Sequence, residues 1–175
     1  MSEPEFRIEP WGEGDLPLLE QLLGDPAMTM HLGGPESAEK IAERHERFVH
    51  LPGTGTGEMF KVVEAATGES VGSVGYWERE EDEGQVYETG WAVLPAFQGR
   101  GIATIATAQV IELLRAAGKH RYLYAYPSVE NAPSNAICRK LRFTLVNVSE
   151  YEYPRDSGNI LRCNNWRLDL CLPAH

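Results

Sequence analysis

Residues 93–104 read Val93-Leu94-Pro95-Ala96-Phe97-Gln98-Gly99-Arg100-Gly101-Ile102-Ala103-Thr104. A strand-like pattern ends at Val93, a short loop follows, and small residues lead into an apolar helical pattern that stops at Gly118. Small residues leave the first backbone N–H groups of such a helix accessible, and the helix dipole adds positive potential there. The segment therefore predicts an anion-binding turn, in which several contacts of about 0.3–1 kcal/mol act together.

Two other phosphate-binding motifs do not fit this turn. The P-loop pattern GxxxxGK[ST] is absent from the sequence. A dinucleotide site needs GxGxxG directly after the first strand of a βαβ unit, whereas residues 99–104 lack the third glycine and follow hairpin-like segments. The sequence therefore argues against a dinucleotide site.

Strand and helix patterns surround the turn on both sides. Strand patterns, which alternate apolar and polar residues or are rich in β-branched ones, cover residues 6–11, 59–65, 70–77, 86–93, 122–126, 144–153 and 161–170. One helical pattern begins at Asp15, and three others cover residues 37–48, 101–117 and 132–141. We interpret residues 52–57 as a flexible glycine-rich loop. This order predicts a mixed α/β layer fold, with a central, mostly antiparallel sheet flanked by helices, in a single domain over residues 1–175.

Composition and charge exclude several classes of function. The chain has 175 residues, of which 42% are hydrophobic and 24% charged, as in ordinary globular domains. Its net charge of -10 argues against a nucleic-acid partner, because clustered Lys and Arg hold phosphate backbones. No apolar run approaches the roughly 18 residues of a membrane span, and residues 1–5 lack the apolar stretch of a secretory signal. A homodimer is compatible with the sequence.

Cysteine and histidine usage indicates the compartment and argues against a metal site. The three cysteines are odd in number, widely spaced and without a CxxC pair: Cys138, Cys163 and Cys171. This pattern favours reduced thiols in a cytoplasm over a disulfide framework. The histidines lack the spacing of metal ligands, so we expect no metal cofactor.

Two motifs resemble those of a known enzyme family. Gln98, Gly101 and Ala103 match the [RQ]xxGx[GA] acetyl-CoA signature of the GNAT N-acetyltransferases. Residues 131–143 resemble the NxxSxxxxxKLGF helix of the same family, although Arg142 replaces its usual glycine. Residues 7–11, 15–16, 31–35 and 88–91 are similar to the branch that acetylates N-terminal amino groups of ribosomal proteins. The resemblance covers most of the chain and implies a GNAT-like acyl-CoA N-acyltransferase fold.

The resemblance implies acetyl-CoA as co-substrate and assigns binding roles. The backbone of Trp91, Ala92 and Val93 would pair with the pantetheine arm like an added strand, and the Val93 N–H could face the thioester oxygen. Asn131 and Ser134, at the start of the second motif helix, would lie near the pantetheine. The pyrophosphate would be held by the signature segment: Gln98, Gly99, Arg100, Gly101, Ile102, Ala103 and Thr104. Arg100 is either a phosphate partner or a solvated charge, and the signature favours the phosphate.

Glu88 and Cys138 are the candidate catalytic residues. Glu88 is either a general base acting through water or a polar side chain on a solvated strand face, and both interpretations stay open. Cys138 occupies the position of a tyrosine that in many GNAT members would protonate the leaving thiolate, but we favour a small buried hydrophobe. His31, Trp77 and Tyr126 are candidates for lining the acceptor site; Tyr126 stands where some relatives carry an acid.

The acidic run at residues 78–83 has two interpretations. We favour a solvated hairpin tip; the alternative is an acidic lip that attracts a cationic amine.

The expected function is transfer of an acetyl group from acetyl-CoA to a primary amine, by direct attack in a ternary complex. Deprotonating the amine costs about 4–5 kcal/mol for lysine and about 1 kcal/mol for an α-amino group at neutral pH. With Glu88 as the base, an N-terminal α-amine or a small-molecule amine of low pKa is favoured over lysine. The alternatives are a non-catalytic CoA-binding regulatory module of the same fold, an acyltransferase using a longer donor such as succinyl-CoA, and an antibiotic-modifying enzyme.

Overall fold

The computed structural model describes residues 3–173, so Met1 and Ser2, in the segment expected to lack a secretory signal, lie outside the described residues. The strands within this range are β1 (Phe6–Pro10), β2 (Gly57–Glu64), β3 (Ser70–Glu81), β4 (Gly84–Val93), β5 (Tyr122–Ala125), β6 (Thr144–Glu152) and β7 (Ile160–Asp169). The α-helices are α1 (Leu16–Gly24), α2 (Pro26–Thr29), α3 (Ala38–Thr54), α4 (Ile102–Ala117) and α5 (Ala132–Lys140).

The strands form one sheet in the order β1-β2-β3-β4-β5-β7-β6. Neighbouring strands are antiparallel, with the exception of the parallel pair β4–β5. The prediction of a mixed α/β fold with a mostly antiparallel sheet is confirmed. None of the helices in residues 3–173 is long and apolar enough to cross a membrane.

Helices cover both faces of the sheet. One core cluster joins the sheet to the apolar stripe of α4, which includes buried residues four positions apart: Ile102, Ala106, Val110 and Leu114. A second cluster joins the sheet to Leu19 of α1 and Ile41 of α3. Phe60 belongs to the first cluster and the adjacent Met59 to the second. Because successive residues of a strand point to opposite faces, the two clusters lie on opposite sides of the sheet.

Helix α3 is longer than the sequence predicted. It continues past residue 48 through Pro52 to Thr54 and ends at Gly55, which has a φ of 72°. The interpretation of residues 52–57 as a flexible loop is therefore wrong for its first half. Val49 and Leu51 pack against the second core cluster, and this burial outweighs the poor helix propensity of Pro and Gly.

The acidic run also differs from the favoured prediction. Strand β3 extends to Glu81 and β4 begins at Gly84, so a solvated tip describes only residues 82–83. The Glu78 carboxylate accepts a bond from the Nε2 of His120 at 2.9 Å and pairs with the ammonium of Lys119. Charged residues continue the strand here because cations on distant segments neutralise them, and those partners cannot be recognised from local sequence.

Candidate active site

Strands β4 and β5 separate after a short stretch of pairing. Their parallel pairing covers Tyr87 with Leu123 and Glu88 with Tyr124, although β4 continues to Val93. Within the described chain, the edge of β4 beyond Glu88 therefore has no strand beside it on the β5 side. An exposed strand edge presents backbone N–H and C=O groups that an extended ligand can pair with.

The register of β3 and β4 fixes which backbone groups face this open edge. The N–H of Leu94 donates to the carbonyl of Val71 at 2.9 Å, in line with an unbroken β3–β4 register. Alternate residues of an antiparallel strand direct their backbone groups to opposite sides. Trp91 and Val93 therefore direct theirs to the open edge, where the Gln98 side chain donates from Nε2 to the Val93 carbonyl at 2.9 Å.

The turn between β4 and α4 has the form of an anion cradle. Gly99 and Gly101 have φ values of 79° and 76°, and no atom lies within 4 Å of where a Cβ of either residue would stand. Gly101 precedes α4 without a side-chain cap, so the first N–H groups of the helix remain available to a ligand. The side chain of Ile102 is buried in the core, whereas Ala103 and Thr104 are half-buried. An anionic group would fit against this backbone.

The side chain of Arg100 contacts residues of β1 and β2 and the segment before β1. Its Nη2 lies 3.1 Å from Glu5 Oε1 and 3.2 Å from Glu64 Oε1. Its guanidinium also lies over the ring of Phe6, 5.2 Å from the centroid. Two carboxylates thus neutralise Arg100 in this structure, and its contact with a phosphate stays a prediction.

The fold brings the two sequence motifs together at the open edge. The indole Nε1 of Trp91 donates to Ser134 Oγ at 3.2 Å, which joins β4 to the start of α5. Asn131 caps α5, because its Oδ1 accepts the Ser134 N–H at 3.2 Å. Ala92 faces the opposite side of the sheet and packs against the second core cluster. Residues that are about 40 positions apart in sequence therefore border one cleft.

Glu88 lies at the point where β4 and β5 separate, and only 20% of its side chain is exposed. Its Oε2 accepts two hydrogen bonds, from Trp77 Nε1 at 3.0 Å and from an Arg79 Nη1 at 3.1 Å. Burial raises the pKa of Glu88 above its ordinary value, and the bonds from Arg79 and Trp77 oppose that rise. A base with a raised pKa is better matched to proton transfer near neutral pH.

Two of the predicted acceptor residues adjoin Glu88: Trp77 bonds its carboxylate, and Tyr126 contacts the Arg79 that bonds it. The Arg79 guanidinium lies over the ring of Tyr126, 4.3 Å from the ring centroid. The Tyr126 ring stacks on that of Tyr124, with 5.7 Å between the two centroids. The Tyr126 hydroxyl donates to Glu81, and burial together with this bond raises the pKa of Tyr126 far above its ordinary value. The surface next to Glu88 is therefore aromatic, with fixed charges at its margin.

The turn that contains His31 meets the connection between β6 and β7 close to Glu88. Gly33, with a φ of 91°, packs so closely on the side chain of Asn159 that any Cβ there would clash. The Asn159 Nδ2 in turn donates to the Tyr153 carbonyl at 2.7 Å. The Arg44 guanidinium pairs with Glu36 and lies 5.8 Å from the centroid of the Tyr153 ring. His31 is half-buried in the turn after α2, and its contact with an acceptor stays a prediction.

Cys138 lies on the inner face of α5, in the first core cluster, with 0% exposure. Burial raises the pKa of its thiol to about 12. A thiol in this environment packs as a small apolar side chain. A role of Cys138 as proton donor stays a prediction.

Three residues around Glu88 were not among those predicted for the site: Arg79, Glu81 and Tyr151. The strand predicted from the sequence ends at residue 77, whereas β3 continues to Glu81. The prediction therefore did not show that positions 77, 79 and 81 share one face of β3. Among the residues described, no group of three or more His, Cys, Asp and Glu side chains could hold a metal ion.

Comparison with known proteins places this geometry in a family. The model of the acetyltransferase (GNAT) domain matches residues 5–144. A sequence search of curated proteins finds no significant match.

Solved acetyltransferases share the fold along nearly the whole chain. One from Salmonella typhimurium, which modifies the N-terminal serine of the 50S ribosomal subunit protein L7/L12, has a TM-score of 0.79 at 21% identity, covering 95% of this chain and 96% of that chain. The ribosomal-protein-S5-alanine acetyltransferase from Vibrio fischeri has a TM-score of 0.76 at 16% identity, covering 98% of this chain and 96% of that chain. Spermidine N-acetyltransferase from Vibrio cholerae, in complex with CoA and spermine, has a TM-score of 0.76 at 15% identity, covering 95% of this chain and 96% of that chain. The family resemblance drawn from the two motifs is confirmed, and the chain belongs to the GNAT acetyltransferases.

Proposed function

We propose that this protein transfers the acetyl group of acetyl-CoA to a primary amine by direct attack in a ternary complex. The observation that carries the proposal is the separation of β4 from β5 at Glu88. From Val93 to Glu88 the strand spans about 16 Å at about 3.3 Å per residue. An extended arm anchored at the Gly99–Gly101 turn and lying along the open edge would therefore end beside the Glu88 carboxylate.

The residues of the cleft fit coenzyme A in three respects. The turn offers helix N–H groups to the pyrophosphate, the edge at Trp91 and Val93 offers backbone partners to the pantetheine, and Ser134 borders the same edge. When bound, acetyl-CoA would supply an activated acyl group. The chain itself would position that group and exclude water from it.

Glu88 would accept a proton from the substrate ammonium through a water molecule, which frees the nitrogen lone pair for attack. Its Oε2 is held by two donors, and Oε1 has no hydrogen-bond partner among the described residues, so one oxygen remains for the water. The neutral amine then attacks the thioester carbon, the C–N bond forms and the C–S bond breaks. The extra proton that remains on the nitrogen passes to solvent or to the departing thiolate. The departing thiolate has a reference pKa of about 8.5, so it needs little help from an acid.

The acceptor in this proposal is an N-terminal α-amine or a small-molecule amine. An α-amino group costs about 1 kcal/mol to deprotonate at neutral pH, within reach of a single carboxylate base. Two of the structural neighbours are, by their descriptions, acetyltransferases of a ribosomal protein, one at an N-terminal serine, and a third is a spermidine acetyltransferase. These descriptions support an amine acceptor for the present chain.

A mass-shift assay with acetyl-CoA tests the proposal. The panel pairs peptides bearing a free N-terminal serine or alanine with the same peptides blocked at the N-terminus and carrying one internal lysine, and it includes spermidine. We expect one acetyl group on the free N-terminal peptides or on the small amine, and none on the blocked peptides. A folded protein that binds CoA but acetylates no member of the panel would point to a non-catalytic module. Faster transfer from succinyl-CoA would point to a longer acyl donor.

A further inference from the structure

The guanidinium of Arg79 lies between two carboxylates on the candidate acceptor surface. Its Nη1 is 3.1 Å from Glu88 Oε2, and its Nε is 3.0 Å from Glu81 Oε1. Glu81 lies two positions further along β3, so both Arg79 and Glu81 are on the face of the strand that carries Trp77. Among residues 3–173, Arg79 is the cationic side chain that forms an ion pair with Glu88.

Aromatic rings hold this guanidinium in place. It lies 4.3 Å from the ring centroid of Tyr126 and 5.3 Å from that of Tyr151. The Tyr126 hydroxyl donates to Glu81, which ties the ring to the second carboxylate partner of Arg79. A planar guanidinium can stack on a ring and bond two carboxylates at once, which a lysine ammonium cannot do. The arrangement fixes the position of the charge relative to Glu88.

We propose that Arg79 is a positioning residue, which orients the Glu88 carboxylate and keeps it ionised so that it can act as the base. This inference rests on the proposed function. It goes beyond that function by assigning the control of the base to a residue that does not touch the substrate.

The other charged and titratable groups around Glu88 make a neighbouring cation necessary. Glu81 on β3, Tyr126 after β5, Tyr153 after β6 and Cys163 on β7 all lie near enough to interact electrostatically with its carboxylate. Each of these groups is negative when ionised, so none favours the charged form of Glu88. Burial also raises the pKa of Glu88, while Arg79 lowers it. Arg79 is therefore the group that opposes protonation of the base by charge.

Trp77 provides a matched control, because it donates to the same oxygen of Glu88 without carrying a charge. Arg79→Gln removes the charge and retains a donor group. Arg79→Lys retains the charge but loses the planar fork. Trp77→Phe removes one neutral hydrogen bond and leaves the ion pair intact.

The test is an NMR titration of the Glu88 side-chain carboxyl in protein labelled with carbon-13 glutamate, with the signal assigned through Glu88→Gln. We expect Arg79→Gln to raise the titration midpoint of Glu88 by at least about one pH unit. The acidic limb of the pH profile of kcat/KM should shift to higher pH by a similar amount. Arg79→Lys and Trp77→Phe should move the midpoint by less than half as much.

An unchanged Glu88 midpoint in folded Arg79→Gln overturns the proposal. If that variant does not fold, Arg79→Met, which keeps the aliphatic stem against the Tyr126 ring, carries the same test. The NMR signal also separates this inference from the proposed function. A shifted midpoint with an unmoved kcat/KM profile would retain Arg79 as the residue that controls Glu88 ionisation, but it would exclude Glu88 as the base.

Discussion

Trp77 and Glu88 are directly opposite each other on β3 and β4, and the Trp77 indole donates to the Glu88 carboxylate at 3.0 Å. The pair lies where β4 separates from β5, so the strand register holds a buried carboxylate at the end of the open edge. A sheet position of this kind is rigid, which suits a group that must be placed within a fraction of an ångström of its target.

Glu88→Gln is expected to lower kcat by about 10²–10⁴-fold at neutral pH, because the amide cannot accept the proton. Part of the loss should return at high pH, where the amine is already neutral. Since the pKa of Glu88 is raised, wild-type activity should fall as pH drops through that pKa and the base becomes protonated. Steady-state kinetics across pH check both statements. Glu80→Gln, at an exposed position of the neighbouring strand β3, is the matched control and should leave activity unchanged. A small loss that is flat with pH would make Glu88 structural.

Gly101→Glu is expected to weaken CoA binding by more than about tenfold, which corresponds to about 1.4 kcal/mol. The new side chain would place bulk and negative charge in the space that the turn leaves open. Gly101→Ala is the control, because it imposes the same strained φ of 76° without the charge. Calorimetric titration with CoA measures both variants. Equal affinities for the two variants would show that backbone strain, rather than charge at the phosphate site, causes the loss.

Cys138→Ala is expected to reduce kcat by less than about tenfold, because a buried thiol with a pKa of about 12 is a poor proton donor near neutrality. A loss of about 10²-fold with CoA affinity intact would instead identify Cys138 as the donor.

The same variant should change how stability depends on pH. The folded thiol keeps its proton up to a pKa of about 12, whereas the unfolded thiol loses it near pH 8.5. The contribution of Cys138 is therefore complete below about pH 8.5 and declines as pH rises towards 12. Between pH 8.5 and 9.5, wild type should lose about 1 kcal/mol more than Cys138→Ala in urea unfolding. Parallel pH dependence of the two proteins would contradict the buried, protonated thiol.

Asn135→Ala is expected to lower the free energy of unfolding by about 2–4 kcal/mol. Its Oδ1 accepts from Trp166 Nε1 and Asn164 Nδ2, each at 2.8 Å, while its Nδ2 donates to the carbonyls of Ser128 and Asn131. The truncation leaves the Trp166 and Asn164 donors unpaired at the junction of α5 and β7, whereas the two carbonyls keep backbone N–H partners. Chemical denaturation measures the effect.

The control for Asn135 is Asn147→Ala, at an exposed position with a single side-chain bond to Asn165. It should cost less than about 1 kcal/mol. Similar losses for the two variants would refute a special role for Asn135.

Arg142→Gly is expected to raise stability by about 0.5–1 kcal/mol. Arg142 is exposed and has a φ of 65°, a left-handed conformation that glycine adopts without the steric cost of a Cβ. Lys140→Gly, two residues earlier inside α5, should instead destabilise by up to about 1 kcal/mol. Thermal unfolding of both variants separates the local φ effect from a general effect of added glycine.

The sequence by itself determined the elements whose signals are local. The strand, the glycine turn and the helix ended by Gly118 were recognisable because turn chemistry, capping and apolar periodicity act over a few residues. The spacing of two motifs identified the family. Arg142 stands at the usual glycine of the second motif, where the backbone takes a positive φ.

Only the tertiary structure decided which charged residues surround Glu88 and how far the strands extend. The pairing of Glu78 with His120, and the place of Arg79 between Glu88 and the Tyr126 ring, depend on contacts between segments about 40 residues apart. Local propensity disfavours a strand through such a charged run, just as it disfavours a helix through Pro52. Packing and charge pairing with distant elements outweigh these local preferences, because they contribute free energy that appears only when the sheet is assembled.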